Sequence, residues 1–410
     1  TNMFVGSVMS FSIYAKQGSL LSFIYKGQSY PGGASADGMP TFVKLNASKD
    51  PATSQSISWM SSPLASGAAA VVKYATAADF AAKGSDALIT VEGTSIVSEM
   101  ASSGNAATNY AVRINSVFLT DLTPNTEYVY FAGDGTLMTT AAKTFSTAGG
   151  NQDTNFFIIG DTQAKDTTNT SLISQSLANS GIAFDFGIQT GDAVDNGGNY
   201  AMWEGIAKVF SDDFLGSQDM IHVLGNHEYY GDTTAHNSAA YFELPGTENG
   251  TAPLCYSVEY NNVYVAVINY AGADSYREAA QWIIEDAAQS DATWKVLTMH
   301  VAPYYTNPAG GSEAVREIIS DLVDAADIDF VFSGHDHSYA RTEPMTGGEI
   351  DRENGAVYYI CGSTGEKSYE IVFNPLHHYA FTSDNFNATY LTVNATDEDF
   401  TVTTYDLLED

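Results

Sequence analysis

The residues of this chain best suited to chemistry share one placement, each close behind a short apolar run. Phe156-Phe-Ile-Ile leads into Gly160-Asp161, and Phe184-Asp-Phe-Gly-Ile-Gln into Gly191-Asp192. Asp219-Met-Ile-His-Val-Leu leads into Gly225-Asn226-His227, Lys295-Val-Leu-Thr-Met into His300, and Asp329-Phe-Val-Phe into Gly334-His335-Asp336-His337. Asp161, Asp192, Asn226, His300, His335 and His337 together offer carboxylates, an amide oxygen and imidazoles. That mixture suits a pair of divalent or trivalent first-row metals better than a structural zinc, which takes four Cys or His ligands. In a His-x-His on an extended segment the rings can diverge toward two ions, and a carboxylate such as Asp192 can bridge ions about 3.5–4 Å apart, as in two-metal hydrolases. Such a centre clamps a phosphoryl group and lowers the pKa of a bound water. Taken singly, Asp161 or Asp192 reads as a helix N-cap and Gly-Asn-His as a plain turn. The coincidence of strand ends with polar clusters is what favours a common site.

The elements that must position these residues follow from the period of the apolar positions. After a polar linker at 149–154, strands near 156–159 and 184–189 alternate with helices near 168–179 and 200–210. This alternation predicts parallel pairing, with chemistry at the strands' carboxyl ends. A hairpin at 256–259 and 263–269 turns at Asn261-Asn262; helices at 275–290 and 312–325 and strands at 295–299 and 329–332 follow. The last stretch is β again, at 357–361, 390–393 and 400–405. Ahead of the linker, 40–147 is all-β, and alternation in runs such as Ser56-Ile-Ser-Trp-Met and Tyr128-Val-Tyr-Phe argues for a sandwich. Residues 3–14 and 19–25 are strand-like, and Gly32–Gly38 reads as a flexible break. The division expected is an N-terminal extension of no assigned role (1–38), a β-sandwich (39–148) and a catalytic domain (155–410).

Composition narrows the partners. Sixteen Lys and Arg against 49 Asp and Glu leave a formal charge of −33 over 410 residues, with no basic block. A nucleic-acid polymer or an anionic membrane surface is therefore a poor partner. An anionic substrate would need local positive charge, which metals supply inside the roughly 8–10 Å over which salt leaves charges unscreened. No apolar run is long enough to span a membrane. The start lacks a basic n-region, and the low Lys content with abundant Gly, Ser, Thr, Asn and Tyr points to a secreted, cell-surface or periplasmic protein. Cys255 and Cys361 lie in strand-like runs and read as buried free thiols, with one disulfide as the alternative. Oligomeric state has no signature here.

The five blocks, in this order, resemble the metallophosphoesterase (calcineurin-like) superfamily. The β-rich segment in front resembles the purple acid phosphatase branch; Leu122-Thr-Pro-Asn-Thr-Glu-Tyr-Val-Tyr is similar to the corner before a late strand of fibronectin type III domains. The resemblance covers roughly residues 40–410. It implies an N-terminal fibronectin type III-like β-sandwich followed by a four-layer αββα sandwich of two mixed sheets. It further implies Asp161 and His337 on a first metal, Asp192 bridging, and Asn226, His300 and His335 on a second. His227 would contact phosphate and serve as general acid. The activity implied is acid-phosphatase-like hydrolysis of a small phosphomonoester, by hydroxide on two ions from among Zn, Mn and Fe. Phosphodiesterases and nucleotidases are the alternative within the fold, and a non-catalytic binding or surface protein with a weakened metal site is the alternative outside it.

Two positions depart from the family pattern. Purple enzymes carry Tyr three residues after the bridging Asp, where this chain has Asp195; relatives without that Tyr use Asp-x-His in the first block, where this chain has Gln163. Asp195 or Gln163 would then complete the first metal directly or through water, and the protein would be colourless. Tyr304, Tyr305 and Asn307 stand where plant enzymes place further histidines and would line the pocket. His222 reads as a core histidine, His236, His377 and His378 as loop residues, Arg341 as a carboxylate's partner, and Glu228 as a support for a ligand.

Overall fold

The computed structural model describes residues 2–5, 9–12, 22–25, 28–31, 39–62, 69–102, 105–149, 153–163, 167–247, 251–383 and 388–407. The strand-like N-terminal stretch is an antiparallel meander of Asn2–Val5, Met9–Ser12, Ser22–Tyr25 and Gln28–Pro31. The expected break at Gly32–Gly38 lies outside the described residues.

Next comes a sandwich of two four-stranded antiparallel sheets. One is ordered Thr41–Asn46, Gln55–Ser61, Asn105–Leu119, Thr94–Ser102; the other Lys143–Ser146, Glu127–Gly133, Val71–Thr76, Ile89–Glu92. Between them Leu45, Trp59, Val72, Tyr130 and Phe145 form a core of their own. The corner legible in the sequence closes with the Thr123 amide donating to the Tyr128 hydroxyl at 2.8 Å, the bond that defines a tyrosine corner. Helix Ala77–Lys83, absent from the all-β reading, is started by the Thr76 hydroxyl, which accepts from the Asp79 amide at 3.1 Å.

The remaining chain builds two mixed sheets. The first runs Asp219–His222, Phe186–Gln189, Thr154–Ile159, Thr389–Ala395, Phe400–Asp406, its first three strands parallel. The second runs Cys255–Tyr260, Val263–Ile268, Trp294–Met299, Phe330–Ser333, Val357–Cys361, Tyr339–Thr342, Tyr379–Ser383. Strand Val263–Ile268 is buried throughout, yet its residues alternate in destination. Val263, Val265 and Val267 join the core between the sheets, whereas Tyr264, Ala266 and Ile268 face the outer helices, as the two-residue period requires. Helices Thr168–Asn179 and Tyr200–Val209 cover the first sheet through Ile173, Leu177, Trp203 and Ile206. Helices Ala273–Ala287 and Glu313–Ala326 cover the second through Tyr276, Ile283, Ile319 and Leu322. The layers are helix, sheet, sheet, helix, behind an N-terminal sandwich.

Two local expectations are revised, and the reading of the cysteines as free thiols holds. His236 does not sit in a loop but opens helix His236–Phe242, whose Asn237 amide donates to Asp232 Oδ2 at 2.8 Å. Strand Tyr339–Thr342, unread in the sequence, enters the second sheet between Val357–Cys361 and Tyr379–Ser383, partners that both lie later in the chain. Cys255 and Cys361 are both free thiols, the first half-buried and the second buried.

Candidate metal centre

The strand ends converge. Asp161, Asp192 and Asn226 follow three neighbouring parallel strands of the first sheet, and His300 and His335 follow two neighbouring strands of the second. The site therefore lies over the carboxyl edges of both sheets. Its loops are tight for a reason. A Cβ on Gly225 would overlap Asp192 Oδ1, and one on Gly334 would overlap Asp161 Oδ2, so only glycine lets the backbone come this close to the carboxylates. Asp161, Gln163, Asp192, His335 and His337 all hold positive φ, between 39° and 72°, a conformation that costs free energy and tends to persist where function requires it.

The donor atoms form two sets sharing one member: Asp192 with His300 and His335, and Asp192 with Asp161 and His337, all atoms of a set lying within 4.8 Å of one another. His300 Nε2 is 3.1 Å from Asp192 Oδ2, 3.2 Å from Asn226 Oδ1 and 3.1 Å from His335 Nδ1. His337 Nε2 is 3.4 Å from Asp161 Oδ1. Asp161, Asp192, His300 and His337 are buried. His227 stands beside them, Nε2 3.7 Å from Asp192 Oδ2, its backbone amide donating to Asp192 Oδ1 at 2.9 Å.

Electrostatics show what the cluster demands. Burial pushes the Asp161 carboxyl well above its usual range. Burial alone would also raise Asp192, but the charge and hydrogen bond of His300, with His227, hold it below the ordinary range. Burial alone would lower His300; the charge and hydrogen bond of Asp192, with Asp161, push it instead up to about 10. His335, by burial and the charge of His300, falls to about 4, and His337, chiefly by burial, to about 3. Both are thus neutral imidazoles near pH 7, the form that ligates metals. His300 Nε2 carries at most one hydrogen, yet Asp192 Oδ2, Asn226 Oδ1 and His335 Nδ1 all lie 3.1–3.2 Å from it, a convergence that one proton cannot satisfy and a cation can. Gln163 Oε1 is buried without a partner among the described residues. The donor set fits two cations.

Asp195 and Gln163 take different places. Gln163 Nε2 donates to Asp192 Oδ2 at 2.7 Å, and the residue lines the pocket over the cluster. Asp195 joins neither donor set among the described residues; its Oδ1 pairs with Lys367 Nζ at 2.8 Å. Glu228 is buried, and its carboxylate accepts from the amides of Asp192 at 3.0 Å and Gly225 at 2.7 Å, tying two ligand loops together. Burial, with the charge of Asp192, raises it to about 7.

A pocket of about 230 Å³ opens over the cluster, lined by Gln163, Asp192, His227, Asn307, Ala309, Gly310, His335, His337 and Tyr369. Asn307 lines it as expected. Tyr304 instead packs on Tyr358 with ring centroids 4.6 Å apart, and Tyr305 donates to Glu313 at 2.6 Å. His222 is a core residue stacked on Phe242 at 3.6 Å, His377 is buried beside the Tyr305 carbonyl, and Arg341 is exposed on its strand. Asp336, Lys367 and Tyr369 escaped the sequence reading. Asp336 Oδ2 accepts from the amides of Thr306 and Asn307 at 2.5 and 3.0 Å and so pins the pocket's rim; its position between two histidines was the available signal. For Lys367 and Tyr369 no local signal existed.

Residues 154–339 match the calcineurin-like phosphoesterase family. Residues 40–147 match the purple acid phosphatase N-terminal domain. The chain is 27% identical over 267 residues to purple acid phosphatase 22 of Arabidopsis thaliana, covering 62% of this chain and 59% of that one. It is 25% identical over 268 residues to purple acid phosphatase 21 of the same plant, with the same coverage of 62% and 59%. It thus spans less than two thirds of the length of either relative. A purple acid phosphatase from yellow lupin (Lupinus luteus) seeds shares the fold, with a TM-score of 0.72 at 17% identity over 90% of this chain and 72% of that one. No helix among the described residues is long and apolar enough to cross a membrane.

Proposed function

We propose that this protein is a dinuclear-metal phosphoric monoester hydrolase of the acid phosphatase type, with residues 39–148 as a fibronectin type III-like scaffold and 155–410 as the catalytic domain. The observation that carries the reading is Asp192, shared by two donor sets beneath a pocket that also presents His227. Asp161 and His337 would hold one ion, Asn226, His300 and His335 the other, with Asp192 shared by both and Gln163 hydrogen-bonded to it. Two ions from among Zn, Mn and Fe would neutralise the phosphate and acidify a water for attack on phosphorus.

The chain's own groups do the rest. His227 Nδ1 lies 2.9 Å from the Asp195 carbonyl, which can only accept, so Nδ1 carries a proton and Nε2 is turned to the pocket. When the ring carries a proton on both nitrogens, Nε2 hands its proton to the leaving oxygen as the bond from phosphorus breaks, the alcohol departs, and the ring is left neutral with its remaining proton on Nδ1. The amide of His227 holds Asp192 Oδ1, so donor and bridging carboxylate keep a fixed relation. The monoester preference is supported by the purple acid phosphatase relatives, and export by the acidic, lysine-poor composition.

Metal analysis with rates on p-nitrophenyl phosphate and its bis ester tests the reading. Two ions per chain and faster monoester turnover support it; a faster diester would make the protein a phosphodiesterase. No turnover under any of the three metals would leave a binding protein.

A further inference from the structure

Lys367 lies between strands Val357–Cys361 and Tyr379–Ser383, 172 residues beyond the carboxylate it meets. Its Nζ is 2.8 Å from Asp195 Oδ1. Asp195 in turn approaches one nitrogen twice: its carbonyl oxygen is 2.9 Å and its Oδ1 3.5 Å from His227 Nδ1. The same short stretch steadies the opposite wall of the pocket. The Lys367 carbonyl is 3.3 Å from His337 Nδ1, the Tyr369 amide donates to the His337 carbonyl at 3.2 Å, and the Tyr369 ring lies 4.6 Å from the imidazole of His337. Partly exposed ion pairs add little to stability, so what this one supplies is geometry.

We propose that the Lys367–Asp195 ion pair is a positioning device for His227: it anchors the carboxylate and carbonyl behind Nδ1, so that Nε2 stays aimed at the leaving oxygen. The inference rests on the general-acid role given to His227 above. Asp195 joins neither donor set among the described residues, so its part on this reading is played through His227 and not as a ligand of either ion.

The test uses the zinc-loaded full chain and the variants Lys367→Met, Lys367→Arg and Asp195→Ala. Proton donation matters most when the leaving alcohol is a poor one, so substrates sort the possibilities. Against an alkyl phosphate, Lys367→Met should lower kcat by roughly 10–100-fold, a part of the 10²–10⁴ that general acids contribute. Against p-nitrophenyl phosphate, whose phenolate leaves unaided, the loss should stay within about threefold, with KM little moved in both cases. Lys367→Arg should restore most of the difference, and Asp195→Ala should reproduce it while keeping two zinc ions. Nitrogen-15 histidine spectra give a readout independent of turnover: in its neutral form, the one left after donation, His227 should keep its single proton on Nδ1 in the wild type and in Lys367→Arg, and average between tautomers in Lys367→Met. A KM rise shared by both substrates, a zinc ion lost in Asp195→Ala, or unchanged His227 tautomers in Lys367→Met would each overturn the proposal. If the wild type hydrolyses neither ester, the hydrolase reading fails by itself, and the tautomer spectra still decide whether the ion pair fixes the ring.

Discussion

Strand Asp219–His222 has a buried polar cluster at each end, and the two are built on opposite terms. At its start, against the N-terminal sandwich, Asp219 accepts from Gln55 Nε2 at 2.7 Å and from the Tyr260 hydroxyl at 2.8 Å. Nearby, Lys44 Nζ bonds Asn46 Oδ1 and lies 5.0 Å from the ring centres of Tyr241 and Phe242, while the Ser58 hydroxyl donates to the Tyr241 carbonyl at 2.7 Å. Each acceptor meets a donor, and burial disfavours charge: it raises Asp219 to about 6 and brings Lys44 well below its usual value. Beyond the other end, past Gly225, Asp161 and Asp192 share a buried space with three imidazoles, and nitrogens face nitrogens. One hydrogen on His300 Nε2 cannot serve Asp192, Asn226 and His335 at once; a cation can. Buried polarity alone therefore does not mark a site, whereas an excess of acceptors over protons does.

The sharpest break of this contrast is Asp192→Asn. Losing the donor common to both sets should cost more than the roughly 10–100-fold typical of an outer partner of a metal ligand, and metal analysis should find both ions depleted. A variant that kept two ions and near-normal turnover would erase the distinction between the clusters. Next in size, chelation should lower the melting temperature of the wild type, since ligand present at 100 times its Kd stabilises by about 2.7 kcal/mol per site, and readdition of metal should restore it.

The junction cluster should respond to pH instead. The folded pKa of Asp219 is raised to about 6 from a usual 3.8, so the folded state holds this proton more tightly than the unfolded one. Its stabilising effect is full below the unfolded value and is lost as pH rises through about 6. Chemical denaturation of the wild type relative to Asp219→Asn should therefore show a difference that falls by roughly 3 kcal/mol between pH 4 and 7 and is level above, at 1.36 kcal/mol per pKa unit. Smaller still, Gln55→Ala removes one of Asp219's donors and should cost about 1–3 kcal/mol of stability with kcat unchanged. A change in kcat there would tie the junction to catalysis and blur the two classes.

Much of the site could be read from the chain because its logic is local. A strand of alternating or continuous apolar residues, a glycine and then a donor repeat at Asp161, Asp192, Asn226 and His335, and each unit announces itself within a few residues. The Tyr128 corner was legible for the same reason. Helix Ala77–Lys83 and strand Tyr339–Thr342 were not, one because its start depends on a single Thr76 cap in a β-rich stretch, the other because its partners come later in the chain.

Residue order by itself determined which donors exist and that each stands just past a strand, since the two-residue period and turn chemistry act over a handful of positions. Which atoms meet was decided only in three dimensions. Asp192 belongs to both donor sets, Asp195 turns to Lys367 and Asp219 finds Gln55 because strand pairing and the packing of sheet on sheet bring segments 36 to 172 residues apart into contact, as the spacing of the Asp192–Glu228 and Asp195–Lys367 bonds shows. Register and packing, not any neighbour in the chain, set those distances.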